Sequence, residues 1–323
     1  MPTMGELRFD GQVAIVTGAG GTFNLGRSHA HLLASRGAKV VVNDLGVGPG
    51  NQGTEPANAE AVAAEIVAAG GEAIADLHSV AEEDSAQAII DAAMNKWGRV
   101  DILVNNAGFG VRAGFDEVSS HDIHRLVGVH LMGAIWMCRA AWPHMKRQGY
   151  GRIVNTTSGG MMGMAGMSIY GAAKFGIYGL TRGLATEGAE IGIKANALSP
   201  GAATNSFGHS FTFADDKVME AFVERFPAKL VSAAVAYLAH ETCAVSGTMF
   251  NAGGGEVSAR LVMATTGINM PELTVEDVAA NIDTIIDDTA MALVTDPRLP
   301  GEGGGHSPVT QLMVPREYRP SPV

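Results

Sequence analysis

Short apolar runs that stop at glycine or polar residues recur along the chain: VAIVTG (13–18), KVVVND (39–44), VDILVNNAG (100–108), RIVNTTS (152–158), IKANALSPG (193–201) and TMFNAGGG (248–255). Each is rich in Val, Ile or Ala and lacks the alternation of a strand with one wet face. That is the pattern of strands covered on both sides in a parallel sheet. Between them lie stretches with helical spacing of apolar positions, at 26–37, 58–71, 85–98, 120–149 and 170–192. Gly37 is placed to cap the first of these, and Ser120 to open the fourth. Strand and helix in alternation predict an α/β fold, a doubly wound parallel sheet of Rossmann type.

The later chain reads differently. Residues 206–225 form a polar and aromatic segment with Phe207, Phe211, Phe213 and Phe222, expected as a lid over a ligand or as helices packed on a neighbouring subunit. Residues 274–294 read as a helix, opened by Thr274 with Asp277 three positions on. A Gly/Pro-rich loop spans 46–58, and a Pro/Gly-rich tail begins at 296. The expected organisation is a catalytic domain over 7–255, a helical extension over 256–295 and an extended tail over 296–323.

Composition narrows the class. The 323 residues include 42 glycines, carry a net charge of −11 and are 46% hydrophobic. Such a chain is too apolar for intrinsic disorder. Its acidic balance, with no basic run, argues against nucleic acid and anionic membranes as partners. The two cysteines, Cys138 and Cys243, sit in apolar stretches and suit buried thiols. The N-terminal residues show no signal-peptide core and no apolar run reaches membrane-spanning length, so a cytoplasmic setting is expected. The histidine pairs His29/His31 and His121/His124 lack partners at ligand spacing, so no metal is expected.

The candidate chemistry lies at the strand ends. TGAGGTFNLG (17–26) follows a buried strand and opens a helix, the setting in which glycines let a pyrophosphate approach the backbone and a helix N-terminus. Asp44 ends the second run, where a carboxylate can accept hydrogen bonds from an adenosine ribose and repel a 2′-phosphate. NAD is therefore favoured over NADP. NNAG (105–108) supplies small residues beside that ribose. Tyr170 and Lys174 lie four apart on one helix face, where an ammonium lowers a phenol's pKa and fits it to exchange a proton with a carbinol oxygen. The run ending in TTS (156–158) adds a hydroxyl within loop reach.

In this order, the glycine loop, Asp44, NNAG, a Ser before YxxxK and SPG (199–201) resemble the short-chain dehydrogenase/reductase family over roughly residues 7–255. VVNDLG (41–46), HSV (78–80), RAAWPHM (139–145) and AHETCAVSGTMF (239–250) are similar to the (3R)-hydroxyacyl-CoA dehydrogenase units of type 2 multifunctional enzymes. The resemblance implies Ser158, Tyr170 and Lys174 as catalytic residues, with Tyr170 the general base. It implies contacts to NAD from Gly18, Gly20, Gly21, Leu25, Gly26, Asp44, His78, Ser79, Val80, Asn106, Ala107, Gly108, Tyr170, Lys174, Pro200, Gly201 and Thr204. It also implies a homodimer or homotetramer joined through the helices at 120–149 and 170–192.

Three departures stand out. Thr22 and Asn24 occupy positions where the family has glycine, consistent with a two-residue insertion before Leu25-Gly26. Counting back from the tyrosine would select Thr157, whereas aligning the strand selects Ser158. His130 replaces the family's asparagine and is either a packed helix residue or part of a proton relay. Met161, Met162, Met164 and Met167 suit an apolar pocket for an acyl chain or a steroid. Arg112, Lys217 and Arg225 are the candidates to meet a CoA phosphate. The expected function is NAD-dependent oxidation of a secondary alcohol, (3R)-hydroxyacyl-CoA first and a hydroxysteroid second; the alternative is a non-catalytic NAD-binding module.

Overall fold

The computed structural model describes residues 5–46, 57–204, 215–289 and 291–293. Five strands are buried over most of their length: β1 (Val13–Thr17), β2 (Lys39–Asn43), β4 (Ile102–Asn105), β5 (Gly151–Thr156) and β6 (Ile193–Gly201). With β3 (Glu72–Asp76), β7 (Met249–Gly253) and β8 (Glu256–Arg260) they form one sheet in the order β3-β2-β1-β4-β5-β6-β7-β8. The strands from β3 to β7 are parallel. Gly254 and Gly255, both at positive φ (58° and 86°), make the tight turn into β8.

Strand residues alternate between two helix layers, as a pleated sheet requires. Ala14, Val16, Val40, Val42 and Val104 face α1 (Leu25–Ser35), α2 (Ala57–Ala68) and α8 (Ala228–Ala239). Val13, Ile15, Val41, Leu103 and Ile153 face α3 (Glu83–Trp97), α5 (Gly133–Gln148) and α6 (Ser168–Gly188). The remaining helices of this part are α4 (Ser120–Val127) and α7 (Asp216–Arg225). The order reverses between β1 and β4, the place where open α/β sheets bind ligands beyond their carboxyl ends.

The chain divides into two compact units between Ala259 and Arg260. In the second, β9 (Met263–Thr265) pairs antiparallel with β10 (Met291–Leu293), with α9 (Val275–Ala280) and α10 (Ile282–Ile285) between them in sequence. Thr274 and Asp277 form the expected capping box.

Several expectations need correction. β3 left no apolar run because, at the sheet edge, its side chains are mostly half-buried. The helix expected at 120–149 is capped by Ser119, not Ser120, and is interrupted by a π-helical turn at Gly128–Met132. The helix expected at 274–294 breaks at Asn281 and gives way to β10, so the 256–295 stretch is mixed rather than helical. α8 went unrecognised because its small apolar residues surround the helix. Most of the 46–58 loop, Phe207, Phe211, Phe213 and the 296–323 tail lie outside the described residues. Among the described residues no helix is long and apolar enough to cross a membrane.

α1 and α8 meet around a buried polar contact. His29 Nδ1 lies 2.7 Å from Ser232 Oγ, and the Ser232 hydroxyl also reaches Ser28. Burial lowers the His29 pKa from 6.5 to about 3. The folded value lies below the unfolded one, so the stabilisation is complete above pH 6.5 and is lost as pH falls towards 3, by up to about 5 kcal/mol. We expect thermal stability to drop on acidification from pH 6.5. His29→Gln should lower Tm at neutral pH yet flatten that drop; an unchanged slope by calorimetry would remove His29 from the effect.

Candidate active site

The glycine loop closes the β1 end of the cleft because side chains are missing where backbones meet. A methyl on Gly18, which sits at φ +65°, would lie 2.7 Å from Ala107 Cα; one on Gly26 would lie 2.2 Å from the Gly18 carbonyl oxygen. Thr17 staples this loop to the end of β4: its hydroxyl accepts the Asn106 and Ala107 N–H groups, each at 3.0 Å. Asn106 Nδ2 donates in return to the carbonyls of Thr17 and Gly18.

Asn24, the residue that departs from the glycine pattern, caps α1. Its side-chain oxygen accepts the Arg27 N–H at 2.7 Å, and its amide reaches the Gly18 carbonyl. Gly21 makes room for it, since a methyl there would meet Asn24 Nδ2 at 2.5 Å. Asp44 accepts the Gly20 N–H at 2.7 Å on one oxygen and the Gly46 N–H at 2.8 Å on the other. Each carboxylate oxygen keeps a lone pair for a further donor.

The reacting groups gather beyond β5. Ser158 Oγ accepts the Gly160 N–H at 3.1 Å and borders the same cleft as Tyr170. Thr157 is buried and directs its hydroxyl to Met249 Sδ, so Ser158 is the hydroxyl beside the tyrosine. Lys174 Nζ donates to the Thr156 carbonyl at 2.7 Å and lies 5.8 Å from the Tyr170 ring centroid.

The expectation that Lys174 lowers the phenol's value meets an opposing effect, the burial of both groups. Burial raises Tyr170 above its ordinary value, with the Ser158 hydrogen bond opposing it, and burial lowers Lys174 to about 7. In one dry pocket desolvation works against both charged forms.

His130 sits in the π-helical turn. Its ring meets Tyr170 edge-on, centroids 5.2 Å apart. Nε2 lies 2.7 Å from the Phe109 carbonyl and accepts the Phe109 N–H at 3.2 Å, so the Phe109 backbone holds this nitrogen in either tautomer. Nδ1 is buried and without a partner among the described residues. Burial first, and the charge of Lys174 second, hold the imidazole neutral by taking its pKa well below 6.5.

These groups open on one cleft of about 1050 Å³. Of the residues read from the sequence, Gly18, Gly21, Leu25, Asp44, His78, Ser79, Val80, Asn106, Ala107, Gly108, His130, Ser158, Tyr170, Lys174, Pro200 and Thr204 line it. Gly20, Gly26 and Gly201 do not; they pack behind it, where Gly20 meets Asp44 and Gly201 lies against Gly253. Met164 and Met167 line the cleft, but Met161 joins a core cluster and Met162 points to solvent. Arg112, Lys217 and Arg225 are absent from its walls; His121, His124 and Arg125 of α4 are present. Their helical spacing put them on one face, but nothing in the sequence showed what that face borders. Among the described residues no group of His, Cys, Asp or Glu could hold a metal ion.

The glycine cradle, the N-terminus of α1 and the Asp44 carboxylate suit a dinucleotide laid across the switch point. Residues 12–212 match the family model for short chain dehydrogenases. A short-chain type dehydrogenase/reductase of Mycobacterium tuberculosis is 41% identical over 278 residues, 85% of this chain and 94% of that protein. Peroxisomal multifunctional enzyme type 2 of Drosophila melanogaster is 42% identical over 252 residues, 78% of this chain but 40% of that enzyme. Its full-length structure aligns with a TM-score of 0.73 at 32% identity, covering 90% of this chain and 48% of the other. The chain thus spans under half of that multifunctional enzyme.

Gly108 gives a direct check on the His130 geometry. A methyl there would lie 2.2 Å from His130 Cε1. Gly108→Ala should destabilise by about 1–3 kcal/mol, and much less when His130 is also Ala. Additive effects of the two changes in a denaturation cycle would mean that the ring does not occupy this position.

Proposed function

The chain belongs to the short-chain dehydrogenase/reductase family, oxidoreductases of CH–OH groups that use a nicotinamide cofactor, and we propose that it oxidises (3R)-hydroxyacyl-CoA thioesters with NAD. The observation that carries the alcohol chemistry is the meeting of Ser158, Tyr170, Lys174 and His130 at one end of a cleft whose other end is closed by Asp44. Two supports favour the thioester: the resemblance to (3R)-hydroxyacyl-CoA dehydrogenase units, and the identity to the Drosophila enzyme. Met164 and Met167 on the cleft wall favour an apolar substrate and keep a hydroxysteroid as the second reading.

Asp44 would take the adenosine ribose, with Ser79 and Val80 beside the adenine. Gly18, Gly21 and Leu25 would face the pyrophosphate, and Asn106, Ala107 and Gly108 the adenosine ribose. Pro200 and Thr204 would meet the carboxamide end. When bound, the nicotinamide supplies the hydride acceptor.

The chain's own residues handle the proton. Ser158 orients the carbinol oxygen, and Tyr170 takes the hydroxyl proton. A lysine with a pKa of about 7 exchanges its proton readily, so it can take a proton from the phenol or return one. Lys174, with its pKa near 7, then passes protons onward close to neutral pH. His130, held by the Phe109 backbone and set edge-on against Tyr170, would stand on the same proton path. A homodimer or homotetramer through α5 and α6 fits the same family.

Tyr170→Phe should lower kcat by at least about a thousandfold and leave the NADH dissociation constant, read by fluorescence, unchanged. Turnover surviving in this variant would sink the mechanism. Asp44→Asn keeps an acceptor for the loop N–H but removes the charge. It should shift the NAD to NADP ratio of kcat/KM by about tenfold towards NADP. The same ratio in both enzymes would take cofactor choice away from Asp44.

A further inference from the structure

One wall of the cleft bears an arginine and two histidines that the proton chemistry does not use. His121, His124 and Arg125 lie at i, i+3 and i+4 on α4 and all border the cavity. This is a local exception in a chain of net charge −11. The wall lies beside the reaction centre without touching Tyr170 directly. The Arg125 guanidinium lies 4.8 Å from the Phe109 ring centroid, the Phe109 backbone holds His130, and His130 abuts Tyr170. Arg125 pairs with Asp122 at 3.9 Å, and its guanidinium carries five N–H donors, enough to serve more than one acceptor at once. His124 directs Nδ1 to the Ser120 carbonyl at 2.7 Å, which leaves Nε2 to face an incoming group.

The cavity, about 1050 Å³, is at the upper limit of the usual size for a single ligand. A dinucleotide lying along the glycine loop, Asp44 and Ser79 leaves the α4 wall for a second molecule. The N–H groups suited to the cofactor's pyrophosphate belong to α1, in one helix layer. α4 packs against α6, which belongs to the other layer.

We infer that the α4 face is an anion subsite for the phosphate groups on the nucleotide tail of the substrate, with Arg125 as the fork and His121 and His124 as flanking donors. The inference rests on the acyl-CoA reading above and assigns the part of the chain that recognises the CoA end. An arriving phosphate itself favours the protonated imidazole. Arginine suits the role because its planar fork matches phosphate oxygens.

The test uses the full chain saturated with NAD and compares wild type with Arg125→Gln/His124→Gln. We expect the KM for a (3R)-hydroxyacyl-CoA to rise about tenfold at unchanged kcat. The same acyl group on N-acetylcysteamine, which lacks the nucleotide, should show no change in KM, and neither should NAD. Arg125→Lys should recover part of the loss. Equal effects on both thioesters, or none, would overturn the subsite. A rise in the NAD KM instead would assign the wall to the cofactor, which also overturns it.

A second readout separates this inference from the choice of substrate. Adenosine 3′,5′-bisphosphate should bind the NADH-loaded wild type by calorimetry, weaken with added salt and be lost in the double variant. Equal binding by both proteins, or none to either, overturns the subsite. If no hydroxyacyl-CoA is oxidised but the bisphosphate binds only wild type, the thioester reading fails and the anion subsite stands.

Discussion

Gly18 and Gly26 lack side chains where a single methyl would overlap Ala107 or the Gly18 carbonyl. That permits three backbone segments to converge at the carboxyl end of β1. Thr17 and Asn106 hold the convergence with hydrogen bonds that run both ways. The rest of the cleft depends on it. The path of the chain from Ala107 through Gly108 to Phe109 decides where the Phe109 backbone lies, and that backbone holds Nε2 of His130 through both its carbonyl and its N–H. A bulkier loop at β1 would therefore displace a histidine far from it in sequence.

Desolvation sets the electrostatics at the other end. Tyr170, Lys174 and His130 are drawn into the same dry volume, where each charged form is disfavoured. The pocket responds by lowering the basicity of the lysine and the histidine rather than by assembling a fixed ion pair. A proton can then move among phenol, amine and nearby acceptors without a large change in net charge. The Ser158 hydroxyl and the Thr156 carbonyl bias this balance locally, one towards phenolate and the other towards ammonium.

Much of this was legible because strands buried on both faces leave continuous apolar runs, and motifs at their ends inherit a known place at the sheet's edge. Tyr170 and Lys174 share a helix face by spacing alone. β3 was not legible, because an edge strand with half-buried side chains writes no such run. Asn24 looked like a lapse in a glycine pattern; the structure shows a helix cap that also holds the Gly18 carbonyl. The four methionines after Ser158 looked alike, and only the path of the loop separates the two that face the cleft from the two that do not.

The sequence by itself determined the layered architecture, the order of the motifs and the residue types available for chemistry, since these follow from local periodicity and from which residues end each strand. Tertiary structure alone decided that Thr157 turns its hydroxyl to Met249 and leaves Ser158 beside the tyrosine, that burial raises the phenol's pKa, and that α4 rather than the arginines and lysine at 112, 217 and 225 lines the cleft. The reason is common to all three. Desolvation and the direction of a side chain depend on what packs against it from distant segments, and no local pattern records that.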